Sequence, residues 1–200
     1  MNAHDLTIIA PLLVAIGTAV AILLVDLALP GDRDAAIGVT LIGLAGVAAV
    51  TILTSAWVDA GNDGAAFGGA YRLDALTTFL DLLFVSVIAL TIVFAPDYLA
   101  PRGLPVAEFA VVLVFAMCGA MVLSAGTDLL LLFIGLELMV LPGYMLAGYH
   151  KTDGYSTEGA VKYFLLGSFS SAIFLFGVAF VWGLTGTTRI SGDTGVGEPW

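Results

Sequence analysis

The run from Thr127 to Tyr149, TDLLLLFIGLELMVLPGYMLAGY, carries one acidic side chain in the middle of a segment long enough to cross a membrane. From Leu129 onward it is apolar for about 20 residues, the length that spans the hydrocarbon core of a bilayer. At 1.5 Å per residue, Glu137 lies about 13 Å from Asp128 along the helix axis. A charge at that depth costs about 3 kcal/mol, so such residues face other helices, water or a partner. Glu137 is therefore the first candidate for a functional residue.

A proline in the same segment strengthens this interpretation. Pro142 follows Glu137 by five residues and cannot donate a hydrogen bond to the carbonyl of Leu138, which predicts a kink in the helix. A buried acid beside such a kink can pass protons. The alternative is a protonated, hydrogen-bonded glutamate that only joins helices. Because ionisable residues inside membranes are functional by default, the first interpretation is favoured.

The composition is typical of a membrane protein that crosses the bilayer several times. Of the 200 residues, 60% are hydrophobic and 11% are charged, unlike any soluble domain of this size. The net charge of -10 argues against a nucleic-acid partner. With one cysteine, Cys118, and two histidines, His4 and His150, the chain offers neither the four thiolates of an iron–sulfur cluster nor a paired-histidine haem site. We therefore expect no cofactor and no metal in this chain.

Six apolar spans predict an all-α integral membrane fold. They cover residues 7–29, 36–57, 74–95, 106–124, 128–149 and 156–184. The first lacks a basic leader and a cleavage site, so we interpret it as a retained helix. The third is expected to stop at Pro96. The four-residue link from Ser124 to Thr127 predicts that the fourth and fifth spans are antiparallel neighbours.

The spans suggest three regions and an orientation. Residues 1–105 hold the first three spans, residues 106–184 the next three, and residues 185–200 look like a truncated loop. Basic residues on the two sides of the membrane are counted in the positive-inside rule. That count gives Arg33, Arg102 and Lys151 against Arg72 and Arg189. The N-terminus is therefore expected outside, by a margin of one residue.

Lys162 is the second charge that falls inside a span. It lies about 9 Å into the sixth span, and Glu158 precedes it by four residues, the favourable order for a helical ion pair. A lysine that pairs with Glu158 and extends to the interface is as well supported as a functional one. Ideal helices place Glu137 about 10 Å deeper than Lys162, so no direct contact is expected. Coupling through water or a bent helix could still let movement of the lysine charge change how firmly Glu137 holds a proton.

Weaker polar candidates lie on the third and sixth spans. Asp74 and Asp81 are one heptad apart and share a face, and Asp81 is up to about 11 Å into its helix. Asp81 is therefore a candidate for a functional or helix-bridging role. Gly167 and Ser171 form a small-xxx-small pattern that lets backbones approach closely. The hydroxyls of Ser168 and Ser171 could line a hydrated path, although packing is the commoner use.

Two motifs resemble the subunit N family of bacterial respiratory complex I, the proton-translocating NADH:quinone oxidoreductase. They are Gly135-Leu136-Glu137-Leu138 followed by Leu141-Pro142 and Tyr144, and Glu158 to Gly167 followed by Ser170-Ser171-Ala172. The sister subunits M and L, and the multisubunit sodium–proton antiporters, keep the glutamate but vary the second motif. The motif pair therefore favours subunit N, and in this chain it covers only the N-terminal portion of such a subunit.

The resemblance implies a subunit of about fourteen helices in the bacterial inner membrane, built on two inverted repeats of which the first begins at the fourth span. It implies that Glu137 belongs to a proton channel, that Lys162 joins it from the cytoplasmic side, and that a lysine on a broken seventh span lies beyond this chain. Other complex I membrane subunits and lipid are the implied partners. NADH, FMN, iron–sulfur clusters and quinone are expected on partner subunits. Two alternatives stay open: a subunit of a cation–proton antiporter or related hydrogenase, and a truncated scaffold without transport.

Overall fold

The computed structural model describes residues 2–190, and its helices confirm the predicted all-α membrane fold. After a short α1 (Ala3–Ile8), six helices are long and apolar enough to cross a membrane. They are α2 (Ala10–Ala28), α3 (Arg33–Asp59), α4 (Ala75–Leu99), α5 (Val106–Ala125), α6 (Leu129–Ala147) and α7 (Gly154–Thr185). The predicted loop 185–200 is described only as far as Ile190, and the rest of it lies outside the described residues.

Two predicted boundaries were wrong, and proline is involved in both. The first span is not one helix from residue 7, because α1 ends at Ile8 and Pro11 stands in the first turn of α2, where its missing N–H is not needed. The third span does not stop at Pro96, which is buried inside α4. The helix continues to Leu99, and Arg102 then packs its guanidinium 3.7 Å from the Tyr98 ring centre. A proline inside a membrane helix is tolerated where neighbouring groups satisfy the freed backbone.

Aspartates begin most of the membrane helices. The side chains of four N-cap residues accept hydrogen bonds from backbone N–H groups of the first turn: Asp32, Asp74, Asp128 and Asp153. These caps satisfy donors that would otherwise have no partner at the helix end. They also explain why so many acids of this chain lie just outside the apolar segments. Asp81 and Glu137, which lie well inside their helices and not near an end, therefore need a different explanation.

The centre of the bundle is α5, which packs against α2, α4 and α6. In its most apolar stretch 67% of the residues are buried, compared with 6% in α7. Glycines bring α5 and α6 together: a methyl group added to Gly119 would lie 2.6 Å from the carbonyl carbon of Leu138, and one added to Gly135 would lie 2.7 Å from the backbone nitrogen of Leu123. These contacts run in opposite chain directions, which confirms the prediction of antiparallel neighbours.

A hydrogen-bonded layer of loops covers one end of the bundle. Strands β1 (Ala65–Ala66) and β2 (Tyr71–Arg72) form an antiparallel hairpin in the glycine-rich loop after α3, and Tyr71 forms a bridge with Gly126. The backbone N–H of Thr127 donates to Ala70 at 3.0 Å. After α7, the Thr188 hydroxyl donates to Asp128 at 2.7 Å. We call residues 61–73, 126–128 and 187–190 the hairpin layer.

Candidate functional site

Glu137 lies on α6 where this helix packs most tightly on α5. The carbonyl of the next residue, Leu138, faces Gly119, so the glycine contact sets both the depth and the rotation of Glu137. The side chain is half-buried, and its Oε1 atom is buried without a hydrogen-bond partner among residues 2–190. Because a buried polar atom without a partner is costly, such an atom usually marks strain, a functional group or a water site. The arrangement can hold or release a proton at Oε1.

A tyrosine seven residues further along α6 belongs to the same site. Tyr144 is 7% exposed, and its hydroxyl is the second buried group of α6 without a partner among the described residues. Its ring meets Tyr163 and Phe164 of α7 edge-on, with centroids 4.9 and 5.5 Å away. A methyl group on Gly167 would lie 2.6 Å from Cζ of the Tyr144 ring. Gly167 therefore makes room for the Tyr144 ring.

Tyr144 belongs to one of the two motifs but is not among the site residues predicted from the sequence. The available signal was its spacing from Glu137: seven residues are about two helical turns, so both side chains lie on one side of α6. The pattern at Gly167 and Ser171 predicts a close contact between helix backbones. At Gly167 the structure instead shows a tyrosine ring, a contact that no sequence spacing predicts.

Lys162 lies at the exposed start of α7 and pairs with Glu158. The Nζ atom of Lys162 donates a hydrogen bond to Oε1 of Glu158, and the two side chains are 69% and 59% exposed. This is the interfacial pair that the spacing allowed. Among the described residues no ion pair joins Lys162 to Glu137, in agreement with the expected difference in depth. Tyr163, the next residue, connects this end of α7 to Tyr144.

The remaining candidates are placed as follows. Pro142 is buried within α6, which continues as a single helix from Leu129 to Ala147. Ser168 is exposed and Ser171 is half-buried on α7, so their part in a hydrated path stays a prediction. Asp81 is fully buried on α4, and its Oδ1 lies 3.3 Å from the Ser124 hydroxyl of α5. The described residues include no group of three or more His, Cys, Asp or Glu side chains that could hold a metal ion.

Comparison with known proteins agrees with the resemblance seen in the two motifs. A family described as "NADH:quinone oxidoreductase/Mrp antiporter, TM" matches residues 126–193, which include Glu137, Tyr144 and Lys162. NADH-quinone oxidoreductase subunit N of Chloroflexus aggregans is 37% identical over 93% of this chain and 37% of its own length. The chain is homologous to subunit N of NADH-quinone oxidoreductase. Subunit N of Geobacillus kaustophilus gives a similar result, with 35% identity over 94% of this chain and 38% of that protein. The chain thus spans about two fifths of the length of these subunit N relatives.

Solved structures show the same fold. A chain of "Respiratory complex I from Thermus thermophilus with bound Aureothin" superimposes with a TM-score of 0.71 and 29% identity, over 92% of this chain and 39% of that one. An archaeal respiratory complex, the membrane-bound sulfane sulfur reductase, gives a TM-score of 0.70 over 92% of this chain and 38% of the other. At 21% identity this second match shows the fold alone. The helical arrangement is therefore shared by membrane complexes that are named for different reactions.

Proposed function

We propose that this chain supplies a proton-transfer site to the membrane arm of a proton-translocating NADH:quinone oxidoreductase. The observation that carries the proposal is Oε1 of Glu137 on α6, which is buried without a hydrogen-bond partner among residues 2–190. The buried hydroxyl of Tyr144 lies about two turns further along the same helix. Similarity to subunit N supports it. Because the chain spans about two fifths of these relatives, the activity and the partners of the whole protein are part of the proposal.

The chemistry assigned to this chain is limited to protons. NADH, FMN, iron–sulfur clusters and quinone would reside on partner subunits, which supply the electrons and the driving force. Glu137 would hold a proton at its carboxyl group and release it when the surrounding charge changes. Moving one charge across 100 mV corresponds to about 2.3 kcal/mol, so a change of a few kcal/mol in proton affinity is enough to matter.

Lys162 would act as the electrostatic modulator of Glu137. In the described state its charge is neutralised locally by Glu158 at the start of α7. Movement of the ammonium group away from Glu158 and toward the bundle would favour the carboxylate form of Glu137, and its return would favour the acid. Tyr144 and Tyr163 connect the two regions by ring contact. This geometry supports coupling through side chains or water, without a direct ion pair.

The proposed location is the bacterial inner membrane, with other complex I membrane subunits and lipid as neighbours. The hairpin layer and the N-terminus would face outward, since the loops on the opposite side of the bundle carry three basic residues, Arg33, Arg102 and Lys151, and those on this side carry two, Arg72 and Arg189. A cysteine introduced at Asn62, in the hairpin layer, should react with an impermeant thiol reagent in intact cells, whereas one introduced at Arg33 should not. The reverse pattern would contradict this orientation.

The function is tested by Glu137→Gln in the complete subunit, assembled in its complex and assayed in inverted membrane vesicles. Proton translocation should fall strongly while the amount of assembled complex stays unchanged, because glutamine preserves the shape but cannot carry a proton. Tyr144→Phe should reduce translocation less, by about fivefold if the hydroxyl contributes on the order of 1 kcal/mol.

A matched control for Glu137→Gln is available at the start of α5. Glu108 is a half-exposed acid in the first turn, 3.8 Å from Lys151, and Glu108→Gln should leave translocation at the wild-type rate. Wild-type translocation in Glu137→Gln would refute the proposal.

The antiporter alternative stays open because the matched family is described for both NADH:quinone oxidoreductase and Mrp antiporters. Sodium-dependent proton exchange without an electron donor would favour it over the oxidoreductase. A related hydrogenase would instead be recovered as a large particle without NADH:quinone activity. A truncated scaffold would appear as a stable 20.6 kDa product that neither joins a large complex nor moves protons. A pull-down followed by these assays separates the four outcomes.

A further inference from the structure

We infer that Asp81, Tyr71 and Thr78 form a second buried site, which binds water and takes up a proton from the hairpin layer. Five side-chain oxygens of the described residues are buried without a hydrogen-bond partner. Two of them, on Glu137 and Tyr144, belong to α6. The other three are the Tyr71 hydroxyl, the Thr78 hydroxyl and Oδ2 of Asp81. The inference rests on these three atoms and does not depend on the function of Glu137.

The three residues come from adjoining parts of the chain at the hairpin end. Asp81 lies about two turns after Asp74, the N-cap residue of α4, and Thr78 is one turn before Asp81 on the same side of the helix. Tyr71 lies on β2 and bridges Gly126, just after α5. The site is thus enclosed by the start of α4, the end of α5 and the hairpin.

Tyr71 is a permanent hydrogen-bond donor in this site. It is 2% exposed, and burial, together with the nearby charge of Asp81, raises the pKa of its phenol well above the ordinary value. The hydroxyl therefore keeps its proton at every physiological pH, and that proton needs an acceptor. No described protein atom accepts it. At the same end of the described bundle, Oδ2 of Asp81 is a buried carboxyl oxygen that also lacks a partner.

The hydroxyl of Ser124 shows how Asp81 can be held both with and without a proton. Ser124 Oγ lies 3.3 Å from Oδ1 of Asp81 and 2.9 Å from the carbonyl of Met121. One hydroxyl proton cannot serve both acceptors fully. When the Ser124 hydroxyl donates to the carbonyl of Met121, a protonated Asp81 can donate a hydrogen bond to Ser124 Oγ. When that hydroxyl donates to Asp81, the carboxylate is stabilised. The pair therefore accommodates either state of the acid.

Water is the ligand that fits these groups. A buried water needs two to four polar partners, and here it finds a donor on Tyr71, an acceptor on Asp81 and a hydroxyl on Thr78 that can do either. A divalent cation would require about six oxygen ligands, more than the site offers. Exposed Arg72 and Asp74 border the site on the side of the hairpin layer, where solvent has access. In the proposal, a proton from solvent on this side reaches Asp81 through the bound water.

The second site lies at a depth similar to that of Glu137, but on another face of α5. The contact between Leu123 and Gly135 sets the antiparallel register, which brings Ser124 level with the residue before Gly135. Asp81, in contact with Ser124, is thus about one helical turn nearer to the hairpin layer than Glu137. The two acids are separated by α5, and different helices pack around each of them: Asp81 lies on α4, and Glu137 lies on α6.

The water is tested by cryo-electron microscopy of the complete complex at a resolution that shows ordered solvent. Density within hydrogen-bonding distance of both the Tyr71 hydroxyl and Oδ2 of Asp81 is the expected result. A direct bond between these two groups, or a site without density, would overturn the inference. This outcome is independent of the result for Glu137→Gln, because that variant leaves α4 and the hairpin unchanged.

The proton is tested by infrared difference spectroscopy of the same complex. The carboxylic C=O band of Asp81 should be lost in Asp81→Asn and shifted in Tyr71→Phe, which removes one donor to the water. Tyr98→Phe, at an exposed tyrosine of the same helix, should leave the band in place. If Asp81→Asn fails to assemble, Tyr71→Phe still decides. An unchanged band in Tyr71→Phe would overturn the inference, as would a spectrum of Asp81→Asn identical to that of the wild type.

Discussion

Asp81 and Glu137 lie at similar depth in the bundle but in different kinds of packing. Asp81 is fully buried between α4 and α5, and Ser124 contacts one of its oxygens. Glu137 is half-buried on α6, whose outer neighbour α7 has only 6% of its most apolar stretch buried. Depth alone therefore does not determine what a carboxyl group in this bundle can do. The packing around each acid does.

The largest effect should come from separating the helices that position Glu137. Gly119→Ala places a methyl group 2.7 Å from Cα of Met139, and backbone atoms cannot move aside as a flexible side chain can. We expect α6 to shift and the free energy of unfolding to fall by about 3 kcal/mol or more, because the clash is with backbone atoms. Thermal denaturation of the assembled complex measures this. Gly177→Ala on α7 is the control, because nothing lies within 4 Å of its added methyl group. Equal melting temperatures for the two variants would contradict the close packing of α5 and α6.

The second prediction compares the acids directly. Asp81→Ala removes a buried group and leaves the hydroxyls of Tyr71, Thr78 and Ser124 facing a cavity, so it should cost about 2–3 kcal/mol of stability. Glu137→Ala removes a half-buried group without a partner in the described residues and should cost less than about 1 kcal/mol. Proton translocation should show the opposite order. Chemical denaturation and vesicle assays on the same preparations test both orders. If the same variant were the more affected one in both assays, the two acids would not differ in their contributions to stability and to proton translocation.

The third prediction concerns the pair at the start of α7. Because the pair is exposed, Lys162→Met and Glu158→Gln should each change stability by less than about 1 kcal/mol. If Lys162 modulates Glu137, only Lys162→Met should slow proton translocation, since Glu158→Gln leaves the lysine charge in place. Wild-type translocation in both variants would show that the pair is purely structural. The comparison separates the two interpretations that the four-residue spacing leaves open.

Much of the fold could be predicted from the sequence, because length and hydropathy identify a membrane helix without knowledge of its neighbours. The six spans and the antiparallel link between α5 and α6 are of this kind. The break before α2 and the continuation of α4 through Pro96 were not predicted. Pro11 has apolar neighbours on both sides, whereas Pro96 stands between Ala95 and Asp97, and in neither case do composition and length show whether a helix ends there.

Less of the candidate site could be predicted, for a related reason. The depth of Glu137 follows from counting residues, but the side that it faces does not. A membrane helix is apolar toward lipid and toward protein alike, so no amphipathic pattern reveals its rotation. The contacts of Tyr144 with Gly167 and of Asp81 with Ser124 depend on rotation and on neighbours. These contacts could therefore not be predicted from the sequence.

The smallest predicted effect tests whether Asp81 and Tyr71 share a site from which Glu137 is absent. The pKa of Tyr71 is raised above its ordinary value of about 10, first by burial and second by the charge of Asp81. A group whose pKa is raised on folding contributes stability that is present below the unfolded value and lost as the pH rises. Stability should therefore decline from about pH 10 upward, and Tyr71→Phe should weaken that decline. Asp81→Asn should lower the pKa of Tyr71 slightly, since burial persists, whereas Glu137→Gln should leave it unchanged. Ultraviolet titration of tyrosinate, taken as the difference between each protein and its Tyr71→Phe counterpart, resolves the shift. An equal shift in both acid variants would mean that α5 does not separate the two sites electrostatically.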